Sequence, residues 1–138
     1  SIMLFNIITG YYHPVVPKRN KSEILVVRCL IEKLSELNQW FFTDGQANDM
    51  VSSHFNDLSM LHSLDWKSIQ SSDFSKADGD FDRPRRYQAE FLVHERVPVD
   101  CIESLNVYNE EAAQYAEGII EQKFSKLVIN IQPNYFFV

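Results

Sequence analysis

The stretch RRYQAEFLVH, Arg85 to His94, decides the reading of this chain. Apolar and polar residues alternate through it. In an extended strand Tyr87, Ala89, Phe91 and Val93 point one way, and Gln88, Glu90, Leu92 and His94 point the other. The alternation predicts a half-buried strand headed by two arginines, a glutamine and a glutamate. Immediately before it, SSDFSKADGDFDRP, residues 71–84, is the one long polar segment. Loops of that length are uncommon in compact domains and are often functional.

Working towards the N-terminus, WFF (Trp40 to Phe42) predicts a short apolar strand, and TDGQAN a turn able to cap a helix through Asp44 or Asn48. Val51, Phe55, Leu58 and His62 then recur at helical spacing, and LDWKSI ends that helix or adds a short one. EILVV (Glu23 to Val27) predicts a buried strand. RCLIEKLSEL predicts a helix with Leu30, Leu34 and Leu37 on one face. Residues 11–22, with Pro14 and Pro17, predict a loop. SIMLFNIITG fits either a helix capped by Ser1, with Leu4, Ile7 and Ile8 on one side, or a strand ending at Gly10.

Towards the C-terminus, CIESLNVY predicts a strand and Asn109 the cap of a helix whose first turn carries Glu110 and Glu111. Ala112, Tyr115, Ala116, Ile119, Ile120 and Phe124 form its expected buried stripe. KLVINI and NYFFV read as extended segments. Strands and helices mixed in this way predict an α+β class, a mixed sheet with helices.

The 138 residues suffice for one domain with a core. A net charge of −6 argues against non-specific nucleic-acid binding by the whole surface, while leaving room for a local basic patch. No apolar run approaches a membrane span and no signal peptide is visible, so a cytoplasmic, membrane-free protein is expected. Cys29 and Cys101 sit in apolar surroundings and read as reduced core residues. No His/Cys spacing supports a zinc site, so no metal is expected.

Gln88 and Glu90, two apart on the predicted strand, share one face. A Gln-x-Glu pair so placed is a pattern of ADP-ribosyltransferases, and the chemistry explains it. When nicotinamide leaves NAD, positive charge develops on the ribose, as on the sugar in glycoside hydrolysis. A carboxylate beside that ribose stabilises the charge and can take the proton of the incoming nucleophile. A residue two positions earlier can contact the acceptor. Taken alone the pair also fits the exposed polar face of an edge strand.

FFTDGQA, HFNDLSMLHSLDW and RPRRYQAEFLVHERVP occur in this order and spacing, and together they closely resemble the DarT family of DNA ADP-ribosyltransferase toxins. SIMLFNI and SLNVYNEEAA fit the same family, so the resemblance spans nearly the whole chain. It implies an ADP-ribosyltransferase-like mixed-sheet core with flanking helices, and Glu90 in the place of the catalytic glutamate. That family joins ADP-ribose from NAD, a substrate here, to a thymidine or guanosine base in single-stranded DNA. Glu90 would orient the ribose and help deprotonate the base.

Residues 71–84 occupy the place of the family's substrate-recognition loop. Arg83, Arg85 and Arg86 would hold DNA phosphates, and Phe74, Phe81 and Tyr87 would offer stacking surfaces. Gln88 completes the expected substrate-binding set. His94, Asp44 and Asp65 read as structural, the aspartates as helix caps.

Family members carry a histidine and an arginine for NAD in an N-terminal part that has no counterpart here. Residues 1–138 are therefore expected to be the C-terminal, larger part of the domain, N-terminally incomplete, with the cofactor-binding residues unassigned. The resemblance further implies a macrodomain antitoxin as partner. The alternative is an inactive remnant that binds single-stranded nucleic acid or an antitoxin, and a protein acceptor is a third reading.

Overall fold

The computed structural model describes residues 2–11, 14–74, 79–120 and 126–137. In chain order the helices are α1 (Ile2–Thr9), α2 (Ile31–Ser35), α3 (Trp66–Gln70), α4 (Arg83–Arg86) and α5 (Glu110–Ile120). The strands are β1 (Val26–Cys29), β2 (Trp40–Thr43), β3 (His54–Phe55), β4 (Phe91–Val93), β5 (Ile102–Val107) and β6 (Val128–Ile131). This is the predicted α+β class. The chain divides into two compact units, one of Met3–Lys33 with Val97–Val138, the other of Ser1–Ile2 with Leu34–Arg96.

In the first of these, β5 pairs antiparallel with β1 and parallel with β6. Parallel neighbours require a crossover, and α5 supplies it. Asn109 starts that helix as expected: its Oδ1 accepts the Ala112 N–H at 3.0 Å and its Nδ2 donates to Ser22 Oγ at 3.0 Å. Val107, Ala112 and Ala113 form the core, with Ala116 and Ile129 against them. The expected stripe is rotated, because Tyr115 and Ile119 are exposed. Alanines let the helix approach closely, and periodicity alone does not say which of two adjoining apolar edges turns inward. Phe124 lies outside the described residues.

The N-terminal stretch is a helix and not a strand. α1 ends at Gly10, whose φ of +75° suits glycine, with its N–H donating to Asn6 O at 2.9 Å. The expected cap Ser1 lies outside the described residues. β1 starts later than EILVV predicted and is an exposed edge, with Val27 half open to solvent. Lys21–Glu23 instead form a 3-10 turn, in which Asn20 accepts from Ser22 N and Glu23 accepts from Asn20 N. The terminal NYFFV is likewise not extended: Pro133–Phe136 is a 3-10 turn that buries Phe136 completely, edge-on to Tyr108. Cys29 and Cys101 are free thiols, and burial first, then Cys101, raises the Cys29 pKa.

In the second unit β2 lies between β3 and β4, antiparallel to both. Trp40 stacks on Phe91 and Phe42 on Phe55, each pair at 5.2 Å between ring centroids. Cross-strand aromatic pairs of this kind stabilise small sheets. They also overturn the helix expected through Val51, Phe55, Leu58 and His62. Phe55 enters the sheet, residues 44–53 form a turn-rich loop, and Leu58–Ser63 is a 3-10 helix capped by Asp57. Asp65 caps α3 as predicted, accepting the Ser68 N–H at 3.1 Å.

Asn109→Ala should lower stability by about 1 kcal/mol, the usual loss for a helix cap. Urea denaturation should show a lower midpoint with an unchanged slope.

Candidate active site

The strand predicted from Arg85 is present only at its end. Arg83–Arg86 forms α4, Tyr87 and Gln88 form a turn, and β4 starts at Phe91. Pro84 in the first helical turn and the pairing of Asp82 with Arg85 (i, i+3) and Arg86 (i, i+4) favour the helix. Gln88 and Glu90 are therefore not neighbours on a strand. Gln88 Nε2 donates to Pro84 O at 2.6 Å, closing the end of α4.

Glu90 stands one residue before β4, and Thr43 at the end of β2 grips its backbone. Thr43 N–H donates to Glu90 O at 2.9 Å, and Glu90 N–H donates to Thr43 Oγ1 at 3.2 Å. That hydroxyl donates in turn to Gly45 O, and Thr43 is fully buried. The carboxylate is exposed but not free, because the Ala47 N–H donates to Glu90 Oε2 at 2.7 Å. A cavity of ≈ 660 Å³ in this unit, lined by Trp40, Phe41, Leu92, Val93 and His94 among others, lies at the far end of β4. Glu90 is not among the residues that line it.

The three arginines are occupied. Arg85 forks onto Asp82, Nε to Oδ1 at 2.7 Å and Nη2 to Oδ2 at 2.9 Å, while Nη1 reaches Asp44 Oδ1 at 2.9 Å and Ser52 Oγ at 3.1 Å. Arg86 joins Asp65, Asp80 and Asp82, its shortest contact 2.6 Å to Asp80 Oδ2. Arg83 Nη2 donates to Asp73 Oδ2 at 3.1 Å. Among the described residues, three guanidiniums thus face five aspartates. The carboxylates push the Arg85 and Arg86 pKa values up, Asp82 acting most on Arg85 and Asp80 most on Arg86. The reverse also holds: Arg86 lowers Asp80, and Arg85 leads in lowering Asp82.

Tyr87 turns inward. It is buried, edge-on to Phe74 at 5.4 Å, with its hydroxyl donating to Phe74 O at 3.3 Å, so it presents no stacking face. Phe81, by contrast, is 89% exposed next to Asp82. His94 is a surface residue. Asp44 caps no helix, accepting instead from Ser53 N at 2.9 Å and from Arg85. Residues 75–78 of the polar loop lie outside the described residues.

The family model described as "ssDNA thymidine ADP-ribosyltransferase, DarT" matches residues 1–137. The chain belongs to the DarT family. A DNA ADP-ribosyl transferase of Escherichia coli O127:H6 (strain E2348/69 / EPEC) is 25% identical over 138 residues, 99% of this chain and 62% of that protein. The chain thus spans about three fifths of that relative's length. Among solved structures, Thermus sp. 2.9 DarT in complex with NAD+ matches at a TM-score of 0.83 and 24% identity, covering 99% of this chain and 67% of that one. The same protein in complex with ADP-ribosylated ssDNA matches at 0.86 and 23%, covering 99% and 64%. These likenesses establish that the chain has the DarT fold.

Within this DarT fold the residues that sequence reasoning passed over are Thr43, Ala47 and Ser52. Thr43 and Ser52 act here as hydrogen-bonding hydroxyls and Ala47 through its backbone amide, so residue type gives no signal. The block TDGQAN was visible as a turn, but not that its amide would meet a glutamate 43 residues away. Among the described residues no group of three or more His, Cys, Asp or Glu side chains is placed to hold a metal, and no helix is long and apolar enough to cross a membrane.

The Ser68 hydroxyl and N–H, and then Arg86, hold the Asp65 carboxyl at about 2, below the ordinary aspartate value near ~3.9. A depressed carboxylate stabilises the fold above its unfolded pKa, and the contribution fades as pH falls through the folded one. Asp65→Asn should therefore lose about 2 kcal/mol at pH 7. The gap to wild type in urea denaturation should narrow below about pH 4.

Proposed function

We propose that this chain carries the catalytic glutamate of a NAD-dependent ADP-ribosyltransferase that modifies a base in single-stranded DNA. The observation that carries the reading is the Ala47 N–H on Glu90 Oε2 at 2.7 Å, on a backbone locked by Thr43. A single amide donor fixes one carboxylate oxygen, and the other remains to face a ribose. As the bond from C1′ to nicotinamide breaks, charge on the ring is stabilised by the carboxylate. A base nitrogen then forms the new bond to C1′, and its proton passes to Glu90. NAD is a substrate in this scheme, and the matching of a DarT family model supports it.

The guanidiniums at 83, 85 and 86 are engaged by aspartates, so we assign the DNA contact to shape and stacking more than to these charges. The exposed Phe81 ring, one residue from the Asp82 fork, is suited to stack on an unpaired base. Gln88, anchored on Pro84 O, sits between α4 and Glu90 and is suited to face the acceptor. By family kinship we extend the reading to a cytoplasmic toxin countered by a macrodomain antitoxin.

Full-length protein incubated with labelled NAD and single-stranded oligonucleotides should transfer label to the DNA. Glu90→Gln should lower the rate at least ~100-fold, the scale of lost acid–base and electrostatic stabilisation. Oligonucleotide binding without transfer would favour a binding module instead, and label on added protein alone would make protein the acceptor.

A further inference from the structure

The arginine at the head of the QAE segment invites a role in gripping phosphate, and its surroundings contradict that role. Arg85 is 11% exposed in its side chain. Of its five N–H donors, one on Nε and one on Nη2 fork onto Asp82, and Nη1 supplies Asp44 and Ser52. A phosphate oxygen would have to displace a charged partner to reach the planar face of donors that makes arginine a good anion ligand.

The partners are what matter. Asp44 and Ser52 stand at the two ends of the loop that carries Ala47. Ser52 Oγ donates to Gln46 O at 2.8 Å, Asp44 Oδ1 accepts Ser53 N–H at 2.9 Å, and Gln46 N–H donates to the backbone oxygen of Arg85 itself at 3.1 Å. Arg85 therefore binds both legs of the loop with its side chain and the loop's middle with its carbonyl. The next amide along, Ala47, is the one on Glu90 Oε2.

Gly45 lies close against the Arg85 side chain. A Cβ there would come within 2.8 Å of Arg85 Cγ and 3.0 Å of Cζ, so the close approach requires glycine. The loop and α4 are thereby held in one register, and the direction of the Ala47 amide is set by it.

We infer that Arg85 is a positioning residue: it clamps the 44–53 loop through Asp44 and Ser52 so that the Ala47 N–H holds the Glu90 carboxylate in its reactive orientation. The inference rests on the ADP-ribosyltransferase reading above. It differs from a phosphate contact in what it predicts. A phosphate ligand acts on DNA affinity, and its loss lowers the salt dependence of binding by about one ion. A positioning residue acts on turnover, because a displacement on the order of 1 Å at a reacting group costs up to ~100-fold in rate.

The test compares wild type, Arg85→Gln, Ser52→Ala and Glu90→Gln in the full-length protein. Single-turnover transfer, oligonucleotide Kd without NAD across a salt series, and amide hydrogen exchange at Ala47 are measured for each. Arg85→Gln should lower kcat about 10- to 100-fold, leave Kd and its salt slope unchanged, and speed exchange at Ala47. Ser52→Ala, which removes one strut and keeps every charge, should shift kcat and exchange the same way by a smaller factor. Unchanged exchange at Ala47 in both variants, unchanged kcat, or a weaker Kd with a shallower salt slope would each overturn the assignment. Absent transfer by wild type, or full transfer by Glu90→Gln, would instead remove the enzymatic reading beneath it, and exchange at Ala47 would still report whether the clamp exists.

Discussion

One hydrogen bond, from the Ala47 amide to the Glu90 carboxylate, is the constraint on which the site depends. An exposed glutamate has three rotatable side-chain bonds and ordinarily samples many orientations. A backbone donor at 2.7 Å to a charged acceptor selects among them, because charge-assisted bonds are about twice as strong as neutral ones. The amide can select an orientation only if it is itself fixed. Thr43, fully buried at the end of β2, fixes the glutamate's backbone on one side, and the Arg85 clamp fixes the loop on the other. The site is thus built from supports that carry no chemistry of their own.

The electrostatics follow from the same arrangement. Arg85 is closed in by Asp44 and Asp82, and Arg86 by Asp65, Asp80 and Asp82. Partly buried guanidiniums require such partners, since an unpaired charge away from water is strongly unfavourable. The result is an ordered network of ion pairs where the sequence suggested arginines open to phosphate. Beside these ion pairs the Phe81 ring is exposed.

How far the sequence could be read is clearest at particular residues. Asn109 was legible as a cap because capping is decided within four residues, and Asp65 was legible before α3 for the same reason. The strand at CIESLNVY followed from its β-branched and alternating content, and Trp40–Phe42 from its apolar run. Phe55 was misread because its helical spacing from Val51 and Leu58 is a local signal, overridden by stacking on Phe42 across the sheet. RRYQAE was misread for a related reason. Its alternation is compatible with a strand, but the aspartates before it, Asp80 and Asp82, hold the arginines in a helical turn.

The sequence by itself determined the α+β class, the caps at Asn109 and Asp65, and the family, since each is written in contiguous residues or in the order of blocks. Only the tertiary structure decided that Glu90 precedes its strand, that Tyr87 faces inward, and that Arg85 answers Asp44 and Ser52 and not a free surface. The physical reason is range. Helix caps and periodicity are settled over a turn or a strand, whereas the partner of a charge is whichever opposite group the fold brings within about 3 Å. For Arg85 one such group lies three residues away and another 41.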